Sequence, residues 1–188
     1  MNLKKSKLVS ALASLLMLSV SIVGLSATSA QAASTPFIQN FDSMETYSGV
    51  DFDGNVTTVV TNQPAGEGFT SGKALQLANQ GAPWAGTKFV LPVNQNLISA
   101  ENSTASISVY SPDALDRCFN LKLENSANTG INTEKIVHVS AGWQTLNFTY
   151  TFDAARVYNV VALMPNIAGV GCNTWGGTKE LTTWYVDN

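Results

Sequence analysis

Two tryptophans stand where a large apolar ring is hard to bury. Trp84 lies in "GAPWAG" and Trp175 in "GCNTWGGT", both glycine-flanked, loop-like stretches with room for a ligand to approach. A flat ring in such a place can stack on the C–H face of a pyranose. Neighbouring amides and carboxylates then bond the hydroxyls, so apolar surface is desolvated without orphaning polar groups. The stretch "CFNLKLEN" offers such partners: alternation puts Asn120, Lys122 and Glu124 on one face of a strand. The opposing reading, that each tryptophan lids the core, weakens when two of them share an amide-rich, weakly charged surface.

Other chemistry finds little support. His138 is the only histidine, in "KIVHVS", and there is no "GxSxG" turn to present a nucleophile. Ser-His-Asp catalysis needs a base oriented by a carboxylate and facing such a nucleophile, so His138 reads as a surface or cross-strand residue. Glycoside hydrolysis needs two carboxylates facing across a cleft, and the acids are scattered. Asp51 and Asp53 in "GVDFDGN" come nearest; they read first as a turn and second as an oxygen-ligand loop for a hard cation. Two cysteines and one histidine do not make a zinc site. The sequons at Asn55, Asn102 and Asn147 are ordinary in an Asn/Thr-rich chain.

The chain opens "MNLKKSKLVSALASLLMLSVSIVGLSATSAQAAS". Lys4, Lys5 and Lys7 precede an apolar run broken by serines, and "SAQA" supplies small residues for cleavage. Residues 1–33 thus read as a bacterial secretory signal and not a membrane span. Export would deliver residues 34–188 to the cell exterior or the periplasm as one domain. The whole chain has 10 basic and 13 acidic residues. The signal removes three lysines and no acid, leaving 7 − 13 = −6. Nucleic acid and anionic membrane surfaces call for a basic face, so neither is expected as a partner. An even pair of cysteines, Cys118 and Cys172, predicts a disulfide in an oxidising compartment. That bridge would steady the loop carrying Trp175 and reduce the ordering cost of binding.

The elements that must position these residues are strands. No apolar stripe at helical spacing persists for three turns after the signal. Short β-branched and aromatic runs recur at 37–42, 56–61, 73–78, 86–91, 104–110, 118–124, 135–140, 143–151, 159–164 and 181–187, divided by Gly, Pro, Asn and Asp. Alternation sets Phe119, Leu121 and Leu123 against Asn120, Lys122 and Glu124. It also sets Leu146, Phe148 and Tyr150 against Thr145, Asn147 and Thr149. One oily and one polar face per strand predicts an all-β, two-sheet antiparallel β-sandwich. Trp143 and Trp184 belong to these strands, Trp143 as strand-edge packing. The ending "LTTWYVDN" stops within a strand, as a domain end or as a fragment of a longer protein would.

In order, "FIQNFDS", "GKALQL", "WAGTKFVL", "ISVYSPDA", "LKLENSAN", "GWQTLNFTY", "NVVALMPNIAG" and "WYVDN" resemble the jelly-roll carbohydrate-binding-module-like domains appended to bacterial laminarinases and related extracellular glycoside hydrolases. The likeness spans residues 36–188; no single piece is specific, and the ordered series carries it. It implies a jelly roll that binds polysaccharide without cleaving it. It also implies a structural calcium ion held by Asp42, Asp187 and backbone oxygens around Gly72 and Lys73, a donor set suited to a hard cation. The Cys118–Cys172 pair is not a family requirement. The expectation is a secreted, non-catalytic module, a monomer or part of a larger chain, binding a neutral polysaccharide such as a β-glucan. Trp84 and Trp175 would stack on sugar while Asn120, Lys122 and Glu124 bond hydroxyls. Two alternatives stay open: the leading fragment of a glycoside hydrolase, and a structural or adhesive cell-surface sandwich without sugar specificity.

Overall fold

The computed structural model describes residues 41–42, 48–66, 72–172 and 180–187, all within the compact unit Gln31–Asn188. The expected signal, Trp175 and residues 37–40 of the first expected strand lie outside the described residues. Among the described residues ten strands form: β1 (Val50–Phe52), β2 (Asn55–Val60), β3 (Ala74–Asn79), β4 (Gly86–Val90), β5 (Thr104–Ser111), β6 (Arg117–Asn125), β7 (Asn128–Val139), β8 (Gly142–Thr149), β9 (Val160–Pro165) and β10 (Thr182–Asp187). A 3-10 turn covers Val170–Cys172. No helix among the described residues is long and apolar enough to cross a membrane.

The strands make two five-stranded sheets, ordered β1-β4-β9-β6-β7 (sheet A) and β2-β3-β10-β5-β8 (sheet B), and every pairing is antiparallel. This is the jelly-roll sandwich that the alternation predicts. Strands such as β6 and β8 are amphipathic at period two, so each sheet hides its oily face against the other. Phe119, Leu121 and Leu123 of sheet A meet Leu77, Val109, Phe148 and Trp184 of sheet B in one buried cluster. Trp184 is fully buried, its ring tilted against Phe119 at 6.2 Å and its Nε1 donating to Thr182 Oγ1 at 3.2 Å. Tyr150 closes the layer by donating its hydroxyl to the Leu121 carbonyl at 2.8 Å. Burial holds that phenol above its ordinary pKa.

Besides Phe41–Asp42, a turn where the first expected strand was to end, two elements differ from expectation. β7 begins at Asn128 and not near Lys135. Its first half, "NTGINTE", has little apolar patterning because β7 is the outer strand of sheet A. What recruits it is the preceding turn: Asn125 Oδ1 accepts the backbone N–H of Ala127 (2.9 Å) and of Asn128 (3.0 Å), folding the chain back onto β6. The second difference is β1, a short strand where a turn was expected throughout. The turn itself is Asp53–Gly54, with φ of 54° and 89°, where the chain leaves sheet A for sheet B. The Asp51 carboxylate instead braces the turn, accepting from Asn55 Nδ2 (3.1 Å), Thr57 N–H (2.9 Å) and Thr57 Oγ1 (2.9 Å). Gly81 lies against this turn, and a Cβ there would overlap the Asp53 carbonyl oxygen.

Burial separates tryptophans that composition treats alike. Trp184 is at 0% exposure and Trp84 at 42%. Trp184→Ala should lower unfolding free energy by about 3–5 kcal/mol, whereas Trp84→Ala should change it by about 0.5 kcal/mol or less. Urea midpoints of the two variants check this.

Candidate functional site

The outer face of sheet A is built from side chains left over when the core is satisfied. Register aligns them in rows across the strands. One row runs Val50, Lys88, Ala162, Lys122, Glu134; another places Asn120 between Met164 and Ile136. A third pairs Glu124 with Val160 and Asn132. Ala162 is the smallest side chain in its row, flanked by two lysines, and the floor dips there. The resulting groove, about 510 Å³, is lined by Phe52, Asp53, Trp84, Lys88, Lys122, Glu124, Glu134, Ala162 and Met164. Its size is within the range of small-ligand sites, and it joins aromatic surface to convergent polar groups.

The polar groups are interlocked. Lys122 Nζ contacts Glu124 Oε1 at 2.7 Å, although its direct cross-strand neighbour is Glu134. Asn120 Nδ2 donates to Glu134 Oε2 at 2.8 Å. Asn120 itself is fully buried, and its Oδ1 has no hydrogen-bond partner. The expected role of Asn120 as a direct hydroxyl ligand therefore becomes, in this geometry, one of fixing Glu134. Lys122 and Glu124 keep partial exposure. Trp84, in the turn preceding β4, presents a half-exposed ring. That turn is closed by Ala85 N–H to Ala82 carbonyl (2.9 Å) and tied by Ala168 N–H to Pro83 carbonyl (2.9 Å).

Sequence reasoning missed Phe52, Lys88, Glu134 and Met164. Lys88 was legible, since it alternates with buried Phe89 in "GTKFV". Glu134 was hidden because β7 extends further back than its patterning suggests. Phe52 falls in a stretch that reads as a turn, and Met164 in an apolar strand run, so neither stands out in the sequence.

A covalent bridge lies beside one end of the groove. The Cys118–Cys172 disulfide forms as expected, across a separation of 54 residues; loop closure of that length is worth on the order of 4 kcal/mol. It lies on the groove side of β6 and packs in a small cluster with Met164, Ile167 and Phe52, two of which line the groove. Close by, the buried Arg117 guanidinium bonds Asp113 Oδ2 (2.8 Å), Asn166 Oδ1 (2.7 Å) and Glu180 Oε2 (2.5 Å). Cys172, held by the disulfide, and Glu180, bound to Arg117, flank in sequence the stretch that contains Trp175.

The remaining candidates divide. Asp42 and the Gly72–Lys73 stretch come together: Lys73 Nζ donates to the Asp42 carbonyl at 2.9 Å, and a Cβ on Gly72 would lie 3.4 Å from Asp42 Oδ1. Asp187 is fully buried at the end of β10. His138 is an exposed surface residue with Nδ1 2.6 Å from Asp116 Oδ1. Trp143 packs edge-on against Tyr110 at 5.7 Å and donates Nε1 to the Pro64 carbonyl at 2.6 Å. A second cavity of about 230 Å³ lies between the sheets, walled mainly by core side chains such as Phe89, Leu121 and Tyr150. It is a gap in the packing; of the expected site residues only Asp187, a calcium-ligand candidate, lines it.

No family model matches the sequence, and no curated protein matches it. Solved structures do. A family 11 carbohydrate-binding module from Clostridium thermocellum, in complex with a β-1,3-1,4-mixed-linked tetrasaccharide, superposes with a TM-score of 0.52 over 80% of this chain and 91% of its own, at 13% identity. A xylan-binding domain of family 22 gives 0.51 over 83% and 92%, at 15% identity. The fold is that of carbohydrate-binding modules. In a longer neighbour, a Clostridium thermocellum xylanase chain with a family 22 module and a family 10 catalytic module complexed with xylohexaose, this chain spans 25% of the length; identity is 14% over 79% of this chain and the TM-score 0.49.

Arg117 holds the carboxyls of Asp113 and Glu180 below their ordinary values of 3.8 and 4.5, chiefly through its hydrogen bonds to them. Depressed carboxylate pKa values stabilise the fold above the unfolded-state values and lose that contribution as pH falls through the folded ones. The stability gap between the wild type and Arg117→Met should therefore shrink between about pH 5 and about pH 3. Urea midpoints measured across that window check it; a gap that stays constant assigns Arg117 a packing role alone.

Proposed function

We propose that this protein is a secreted, non-catalytic polysaccharide-binding module that takes a neutral glycan chain, a β-glucan, in the groove of sheet A. The observation that carries the reading is the meeting in one groove of the exposed Trp84 ring and Phe52 with Lys88, Lys122, Glu124 and Glu134. The rings desolvate the C–H faces of sugar residues, and the charged groups exchange water for sugar hydroxyls. Lys122 and Glu124 neutralise each other, which suits an uncharged ligand. Trp175 adds a second stacking ring from the stretch between Cys172 and Glu180.

The groove's two glutamates do not make a hydrolase. Glu124 and Glu134 stand on adjacent strands of one floor, tied to Lys122 and Asn120. Hydrolysis needs one carboxyl free to protonate the leaving oxygen and another facing it across the scissile bond. In a larger enzyme, cleavage would belong to another module. Export through residues 1–33 places this one with extracellular or periplasmic glycans.

The same reading includes a calcium ion bracing the chain ends, held by the carboxylates of Asp42 and Asp187 and by backbone oxygens around Gly72 and Lys73. Oxygen donors of this kind suit a hard cation, and the proximity of Asp42 to Gly72 and Lys73 supports the grouping. Chelator should lower the melting temperature of the wild type, and added calcium should restore it. Asp42→Asn should melt low with or without calcium, and equal melting of wild type in both conditions removes the ion from the account.

Native gels containing laminarin, mixed-linkage glucan, xylan or mannan test the groove. Residues 34–188 should be retarded in a β-glucan gel, and Trp84→Ala or Lys122→Ala should weaken binding on the order of tenfold or more, about 1.4 kcal/mol. Absence of retardation in every gel by folded protein assigns the sandwich a structural role. Retardation in xylan or mannan alone keeps the module and changes its glycan.

A further inference from the structure

Two ligand-type side chains stand beside the Cys118–Cys172 bridge. His138 Nδ1 lies 3.7 Å from Cys172 Sγ and 2.6 Å from Asp116 Oδ1. The ligand atoms of Cys118, His138 and Cys172 all lie within 4.8 Å of one another. By composition, two cysteines and one histidine fall one ligand short of a closed four-coordinate site. The fold brings up the fourth, Asp116. Two sulfurs, a ring nitrogen and a carboxylate oxygen are a donor set suited to zinc.

These groups are gathered without help from the S–S bond. Cys118 and His138 are direct cross-strand partners in the β6–β7 register, and Asp116 immediately precedes β6. The turn carrying Cys172 is tied to the same segment by two backbone bonds. Ile167 N–H donates to the Cys118 carbonyl at 3.1 Å, and Gly171 N–H to the Asp116 carbonyl at 2.6 Å. Opening the bridge therefore leaves the two sulfurs neighbours. Cys118 is buried and Cys172 half-buried, while the side chains of His138 and Asp116 are 68% and 59% exposed. An ion thus has an entry path on the histidine and aspartate side.

We propose that the reduced form of this protein binds one zinc ion through Cys118, Cys172, His138 and Asp116, so that bridge and metal are alternative closures of one joint. The proposal does not depend on glycan binding. A dithiol reductant opens the bridge by two exchange steps, becoming a cyclic disulfide and leaving two cysteine thiols. Zinc then displaces one proton from each thiol to solvent. The sulfurs move apart to about 3.8 Å, the edge of a tetrahedron with zinc–sulfur bonds of about 2.3 Å. The His138–Cys172 spacing of 3.7 Å is already close to the about 3.6 Å that mixed nitrogen and sulfur ligation asks for. The His138–Asp116 hydrogen bond opens to admit the ion. The oxidised bridge has no thiolate to offer, so the two closures exclude each other.

Cobalt(II), a coloured ion that takes zinc sites, is the probe. The protein is reduced with a water-soluble phosphine, freed of reductant without air, and titrated. One equivalent should bind, with thiolate-to-metal absorption in the near ultraviolet and the visible bands of a tetrahedral site, and zinc should bleach both. Unreduced protein should show neither. Cys172→Ser should lower the near-ultraviolet band. His138→Ala and, separately, Asp116→Asn change exposed positions and should each weaken binding on the order of tenfold or more, since losing even a partner of a ligand costs about that. Affinity unchanged in either variant overturns the four-ligand site, even where two thiolates alone capture metal. Reduced wild type that takes up no cobalt also overturns it. Where reduction loosens the fold, zinc should restore the tryptophan fluorescence of wild type and not of His138→Ala. Failure to restore it in wild type counts equally against the site.

Discussion

Everything functional in this molecule depends on the requirement that two amphipathic sheets bury their oily faces against each other. Phe119, Leu121 and Leu123 must face Leu77, Val109 and Trp184. At period two, that turns Asn120, Lys122 and Glu124 outward on the same strand. A one-residue slip of β6 would put Lys122 in the core and Leu121 in the groove, so the core's demand for apolar surface sets the register of the site. The chemistry of the groove is the complement of the packing, with no separate element to hold it.

A floor of side chains is only half of a site; its ends are made by turns, and the turns are fixed by other means. The Asp53–Gly54 turn needs left-handed backbone and the absence of a side chain at Gly81. The Trp84 turn is tied to Ala168 through one backbone bond. Near the Phe52–Met164 end a disulfide packs against both residues, and a buried arginine next to it in β6 binds the carboxylates of Asp113 and Glu180. Arg117 is costly to desolvate, and it repays that cost only because three side-chain acceptors meet it at once. These anchors give the groove a shape before ligand arrives, which lowers the ordering cost of binding.

The outer face of sheet A shows what the sandwich leaves open. Groups that bond one another across the groove are charged and mutually neutralising. Identity of 13–15% to modules of the same fold is what such a scaffold permits. The inner positions ask only for apolar volume and alternation, and the outer ones are free to vary with the glycan.

By itself the sequence determined what depends on local order. Alternation in "CFNLKLEN" and "WQTLNFTYT" dictated strands and faces. Two cysteines, read with the expected export signal, pointed to the bridge, and Gly-flanked Trp84 announced an exposed ring. What only the tertiary structure decided depends on which strands become neighbours. Lys88 and Glu134 join Lys122 in one row because β9 and β7 flank β6, a pairing between segments far apart in the chain. Asn120 is buried because Met164 and Glu134 close over it, although its strand position alone turns it towards solvent. Trp84 and Trp184 differ for the same reason: a ring's fate is set by what packs opposite it, and that partner is chosen by the sheet topology.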